Sequence, residues 1–152
     1  MSNSKQHWVG KYQFVSSENL DNYLKAVSVG FAVRKLACAS KPVLDIKLQD
    51  DDSSWTLSSV SAFKTNTVTF HLGQEVEHNT PDGRKMKSMF SMEGEHKLIQ
   101  EQKPISEKDK PSKVVRELKE DGDQLEITFE TVEGEKVIAK QVYKRDKELK
   151  KE

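Results

Sequence analysis

The sequence predicts a mostly β fold: an antiparallel up-and-down barrel of about ten strands, with one helix-turn-helix pair near the N-terminus. Three observations predict it. Apolar residues recur with a period of two almost everywhere from Val43 onward, the rhythm of strands with one face on an interior and the other in water. A helical rhythm occurs once, early, and the connections between the later segments are short. The chain has 152 residues, enough for one domain with a real core and too few for a two-domain enzyme.

Each element follows in order. Tyr12, Phe14 and Ser16 alternate as a first strand. Ser17 is placed to cap a helix whose Glu18 and Asp21 suit a positive N-terminal end. Leu20, Tyr23, Leu24 and Val27 then fall at i, i+3, i+4 and i+7 and share one face. Gly30 interrupts them, and Phe31, Arg34, Lys35 and Leu36 open a second short helix that ends before Pro42. The strands follow: Leu44, Ile46 and Leu48, then the acidic turn Asp50-Asp51-Asp52, then Trp55, Leu57 and Ser59 on one face. Val68, Phe70 and Leu72 precede Gly73, and Met86, Ser88, Phe90 and Met92 follow the turn Pro81-Asp82-Gly83. Leu125, Ile127 and Phe129 lead to the turn around Glu133-Gly134, and Val137, Ala139, Gln141 and Tyr143 form the last segment.

Residues 103–113 form a polar insertion with two prolines, expected as a flexible surface loop. The tail, from about residue 145 to 152, reads as a solvated end. Lys plus Arg and Asp plus Glu both number 25, so no basic excess is available for a phosphate backbone and nucleic acid is not an expected partner. No apolar run reaches the roughly 18 residues a membrane helix needs. A polar N-terminus and a single cysteine, Cys38, lead to the expectation of a cytoplasmic protein.

The stretch from Ser16 to Lys35, SSENLDNYLKAVSVGFAVRK, closely resembles the helical signature of the cytosolic fatty-acid-binding proteins, part of the intracellular lipid-binding protein family. The resemblance continues through Lys41-Pro42, Phe63-Lys64-x-Asn66-Thr67, Phe70-His71-Leu72-Gly73-x-Glu75 and Asp82-x-Arg84-Lys85-x-Lys87-Ser88. It weakens from about Glu95 and resumes at Val115-Arg116-Glu117-Leu118 and at Tyr143, so it spans nearly the whole chain. It implies a clam-shaped ten-stranded barrel, lidded at one end by the helix pair over about 17–39, that holds one amphipathic lipid beside ordered water. It further implies a non-catalytic monomeric carrier of long-chain fatty acids, retinoids, bile acids or related lipids, without cofactor or metal.

Members of that family commonly meet the ligand's carboxylate with two cavity arginines and a tyrosine, the second arginine and tyrosine spaced Arg-x-Tyr on the last strand. Arg116 matches the first arginine and Tyr143 the tyrosine, but Gln141 stands where the second arginine is usual. Glutamine donates a hydrogen bond without balancing an anion. The resemblance thus places a fatty-acid carboxylate near Arg116, assisted by Tyr143 and Gln141, with a retinoid or neutral fatty-acid derivative as the alternative. It also carries over Leu20, Leu24, Val29 and Val33 on the lid and Phe63 and Asp82 at the entrance turns, Phe63 matching a portal phenylalanine. Ser59 completes this set, and Tyr12 replaces a usual tryptophan.

Other chemistry is weaker. His7, His71, His78 and His96 show no metal-ligand spacing with one another or with Cys38, and each reads as a solvated or strand-surface residue. Cys38 itself reads as a small, partly buried residue at the end of the second helix. There is no phosphate loop or nucleophile elbow, so a lipid-processing enzyme has no signature. A secreted lipocalin is the rival fold, and helices directly after the first strand argue against it. Lys25, Arg34 and Lys35 occupy positions that in some relatives form a nuclear-import signal, so nuclear delivery joins the cytoplasmic reading. A solvated helix face is the plainer account, and contact with anionic membranes is a third.

Overall fold

The computed structural model describes residues 2–49 and 54–146. After a 3₁₀ segment, Ser2–Trp8, come β1 (Gly10–Glu18), α1 (Leu20–Ala26) and α2 (Phe31–Ala39). The remaining strands are β2 (Val43–Leu48), β3 (Trp55–Val60), β4 (Thr65–Phe70), β5 (Glu75–Asn79), β6 (Lys85–Glu93), β7 (Lys97–Pro104), β8 (Ser112–Lys119), β9 (Gln124–Thr131) and β10 (Ile138–Arg145). All pair antiparallel in one ten-stranded sheet, in the order β4-β3-β2-β1-β10-β9-β8-β7-β6-β5. Pairing of β1 with β10, through a register shift between Phe14 and Ser16, rolls the sheet into a nearly closed barrel. The roll leaves β4 and β5 side by side without a ladder, bridged by Asn66 Nδ2 donating to the Asn79 carbonyl at 3.0 Å.

The up-and-down topology and the helix pair agree with the sequence-based expectation. The start of α1 does not. Ser17 is not its cap: it lies in β1 with Glu18, and the chain turns into the helix at Asn19, which takes the left-handed conformation (φ 62°) without a side-chain cap. Asparagine tolerates that conformation, and here Asn19 Nδ2 donates to the Ile138 carbonyl at 2.8 Å, fixing the lid to the barrel. The insertion is also shorter than read, because β7 runs on to Pro104, and Asp109 within it is buried. The acidic turn 50–52 and the tail beyond 146 lie outside the described residues.

Apolar packing divides in two. Tyr23, Leu24, Val27 and Val29 form a cluster with Ala139 beneath α1, whereas α2 buries no residue. At the other end of β1, a run of rings joins Trp8 to Trp55, Trp55 to Phe70 and Phe70 to Phe90, with centroids 5.9, 5.9 and 3.6 Å apart. Trp8 is fully buried, and its indole N–H donates to the Glu95 carbonyl at 3.0 Å. Arg145, read as the first residue of a solvated tail, is instead buried at this end. Its guanidinium donates to the carbonyls of Gly122 (2.7 Å), Val9 (2.8 Å) and His7, and lies over the Tyr12 ring. Tyr12, in the place of a usual tryptophan, is therefore the platform for that cation. Gly10 makes room for it. A Cβ there would lie 2.7 Å from Arg145 Nη1, and its φ of +149° disfavours a side chain. Gly10→Ala is expected to destabilise the protein by about 1 to 3 kcal/mol in urea titrations; wild-type stability would show that the guanidinium moves aside freely.

Candidate functional site

Between the aromatic end and the lid lies a cavity of about 460 Å³, within the range of small-molecule sites. Its wall includes Leu20, Leu24 and Val33 from the lid, Phe63 and Asp82 from the turns, Ser59 from β3, Arg116 from β8, and Gln141 and Tyr143 from β10. Nine of the ten site residues expected from the sequence thus meet around one hollow. Val29 does not: it is packed inward against Tyr23, Leu24, Val27 and Ala139, so it supports the lid without bordering the space. Phe63 is 56% exposed at the rim.

Arg116 is the chemical centre. Its Nη1 donates to Gln100 Oε1 at 2.8 Å, and no carboxylate pairs with it among the described residues. It retains part of its surface, yet that surface faces the cavity it lines, so removal from bulk water pushes its pKa down to about 10. Arg84 on the β5–β6 turn contrasts with it: Asp82 grips Arg84 with bonds of 2.7 and 3.0 Å. At the other side of the site, Tyr143 donates its hydroxyl proton to Gln141 Oε1 at 3.0 Å, and Gln141 Nε2 donates to Ser17 Oγ at 3.4 Å. This pair is neutral, and burial pushes the Tyr143 phenol up. Arg116 is thereby left with a full charge and the cavity beside it as the place for a partner.

Three residues that the sequence did not assign to the site, Gln100, Gln102 and His78, complete the polar wall, and Ser88 joins two of them from behind it. Gln100 and Gln102 share the inward face of β7 with Leu98, and both line the cavity. Gln100 Nε2 donates to Ser88 Oγ at 3.1 Å, and Ser88 meets His78 Nε2 at 2.6 Å. His78 is therefore no surface residue: it lines the cavity and is half-buried. Cys38, by contrast, is exposed. Inward polar residues on a period-two strand look like its solvent face, so the alternation alone could not reveal them. Burial, chiefly, holds His78 below the ordinary histidine value of 6.5. The unfolded chain then binds that proton more readily, so the stability contributed by neutral His78 is present above 6.5 and lost as pH falls below it. The melting temperature of the empty protein should drop between about pH 7.5 and about pH 5.5, and drop less in His78→Gln.

A second hollow, open and polar, runs along the β4–β5 gap and shares His78, Asn66, Val68, Lys64 and Gly83 with the cavity. On the lid, Arg34 Nε meets Asp21 Oδ1 at 2.9 Å, and its Nη1 donates to the Val29 carbonyl. Of the three basic residues expected to form a signal, it is the one drawn inward, while Lys25 and Lys35 stay exposed.

The profile of the lipocalin / cytosolic fatty-acid binding protein family matches residues 9–146. The chain belongs to that family. Among its relatives, fatty acid-binding protein homolog 5 of Caenorhabditis elegans is 39% identical over 143 residues, 94% of this chain and 99% of the relative. Two solved structures of this kind share the architecture. Apo lipid binding protein 8 of Caenorhabditis elegans superposes with a TM-score of 0.82 at 28% identity, covering 93% of this chain and 96% of its own. The Schistosoma mansoni fatty acid binding protein in complex with arachidonic acid gives 0.83 at 29%, covering 94% and 98%. The chain is thus similar in sequence and shape to fatty-acid-binding members over nearly its full length. No helix among its described residues is long and apolar enough to cross a membrane.

Proposed function

We propose that this family member is a non-catalytic, monomeric carrier that encloses one long-chain fatty acid, with the carboxylate at Arg116 and the acyl chain along the apolar wall toward the lid. The observation that carries this reading is a desolvated guanidinium that faces a largely apolar hollow without an anionic partner among the described residues. An ion so placed calls for a counter-charge. Burying about sixteen methylenes at about 0.8 kcal/mol each favours uptake by about 13 kcal/mol gross, from which association and ordering subtract a sizeable share. The relatives named above support the same ligand class.

Gln141 favours one alternative, a neutral lipid hydrogen-bonded to the Gln141–Tyr143 pair. Displacement of a fluorescent probe by oleate and by oleyl alcohol separates the two. The carrier reading expects oleate to bind more tightly. Equal or tighter binding of the alcohol overturns the placement at Arg116.

Delivery to anionic membranes is part of the proposal. The α2 helix exposes Phe31 (65%) and Leu36 (51%) beside Lys35, whose ammonium lies 5.5 Å from the Phe31 ring, an apolar and basic face suited to an anionic lipid surface. Exchanging Lys25 and Lys35 together for glutamate should slow transfer to anionic vesicles severalfold and leave transfer to zwitterionic vesicles unchanged. Equal slowing on both would place those residues in ligand release instead. The same lysines support nuclear delivery less well, because Asp21 engages Arg34, the third member of that cluster.

A further inference from the structure

Four adjacent strands, β8, β7, β6 and β5, each contribute one polar side chain to a continuous chain of hydrogen bonds along the cavity wall. Its direction follows from the member that can only donate. Arg116 donates to Gln100 Oε1, which turns the Gln100 amide nitrogen toward Ser88 Oγ. Ser88 accepts that bond, so its own proton is left for His78 Nε2, 2.6 Å away. That nitrogen is then the acceptor, and the ring proton sits on Nδ1, which faces the Asn79 carbonyl at 3.3 Å. The empty cavity thus holds His78 neutral, in one tautomer, at the end of a chain that starts on a cation. Ser88 is fully buried and does not border the cavity, so the pair offers the cavity no nucleophile.

The surroundings of His78 contain little other charge. Arg116 on β8 and Arg84 on the β5–β6 turn both oppose its protonation, adding to the larger effect of burial, and Arg84 is held by Asp82. β6 and β7 present uncharged Ser88 and Gln100. Across the gap β4 presents Asn66 and Val68, with Lys64 just before it. On β5 itself Glu77 is the alternate, exposed residue and stands opposite Lys87 in register. His78 borders both the cavity and the open groove along the gap, so protons can reach it from solvent.

We propose that His78 is a second, proton-switched cation of the ligand site, neutral in the empty cavity and protonated from solvent when an anionic lipid settles at Arg116. This rests on the reading of Arg116 as the anion's partner. The anion cancels the field of Arg116, one of the forces that keep His78 neutral, and gains a second positive charge across the wall. On protonation Nε2 becomes a donor to Ser88 Oγ, and the Ser88 proton must turn away. By reciprocity, a proton on His78 tightens anion binding by the same factor as the anion favours the proton.

The test uses hexadecyl sulfonate, whose headgroup stays ionised throughout, so that any pH dependence belongs to the protein. Displacement titrations are run at about pH 8 and about pH 5.5, on either side of the ordinary histidine range, with wild type, His78→Gln and Arg116→Gln. Wild type is expected to bind about fivefold to tenfold more tightly at the lower pH, as a coupling near one pKa unit requires. His78→Gln should bind with the same affinity at both pH values, the dependence being lost. Equal wild-type affinity at both pH values, or a dependence that survives in His78→Gln, overturns the assignment of His78 and leaves Arg116 in its role. Wild-type affinity in Arg116→Gln overturns the reading beneath it. Should His78→Gln fail to fold, NMR titration of the wild-type His78 ring decides the matter: its pKa must rise when sulfonate is added, and an unmoved value overturns the proposal.

Discussion

Phe90→Ala should lower stability to urea unfolding by about 3 to 5 kcal/mol, the usual scale for removing a fully buried aromatic side chain from a core. Phe90 has no exposed surface and stacks on Phe70 with planes 9° apart. What makes the position sensitive is topology. Phe70 ends β4 and Phe90 lies on β6, so their stack spans the place where β4 and β5 share no ladder. The Phe90 carbonyl also accepts from Gly73 N–H at 2.8 Å, tying down the turn between those strands. A cavity here therefore removes the ring contact across the one open seam, along with the packing that continues through Trp55 to Trp8. Met89→Ala, one residue away and exposed, serves as the control and should change stability by less than about 0.5 kcal/mol. A loss below about 1 kcal/mol for Phe90→Ala would mean that the end of the barrel repacks.

Arg116→Ala should weaken oleate binding by roughly 1.5 to 3 kcal/mol, about tenfold to 150-fold, the scale of a charge-assisted hydrogen bond. The same substitution should leave the melting temperature of the empty protein unchanged or raise it. A cation whose pKa is pushed down to about 10 by burial is a desolvated charge that folding has to accommodate, and Gln100, which loses a donor, can turn to water in the cavity. Opposite signs for affinity and stability would identify Arg116 as a residue kept for its ligand. Unchanged oleate affinity, read by probe displacement, would sink the placement of the carboxylate.

The fold was largely legible because strand alternation survives wherever one face packs inward, as in Leu125, Ile127 and Phe129 of β9. The helix pair was legible from its spacing, but its first residue was not. Ser17 has the chemistry of a cap, yet a left-handed Asn19 bonded across to Ile138 lets β1 run two residues further than a Ser17 cap would allow. Local propensity at that point yields to a contact 119 residues away in sequence. Arg145 escaped notice for a related reason: a basic residue near a charged tail looks solvated, and its three carbonyl acceptors come from Gly122, Val9 and His7, which no local pattern joins to it. Of the site, the resemblance named Arg116, Gln141 and Tyr143 as the polar end, and all three line the cavity. It could not show that Tyr143 already donates a hydrogen bond to Gln141, nor that Gln100 and His78, joined through buried Ser88, add to the lining.

The gap between β4 and β5 bears on how such a sheet avoids polymerising. An open sheet ends in two raw borders, each with unpaired amides that invite a strand from a neighbouring chain. Here both borders belong to one molecule and lie against each other, with Asn66 stitched across. Each shields its opposite from outside strands, so this architecture gains the self-protection of full closure while its seam stays unzipped.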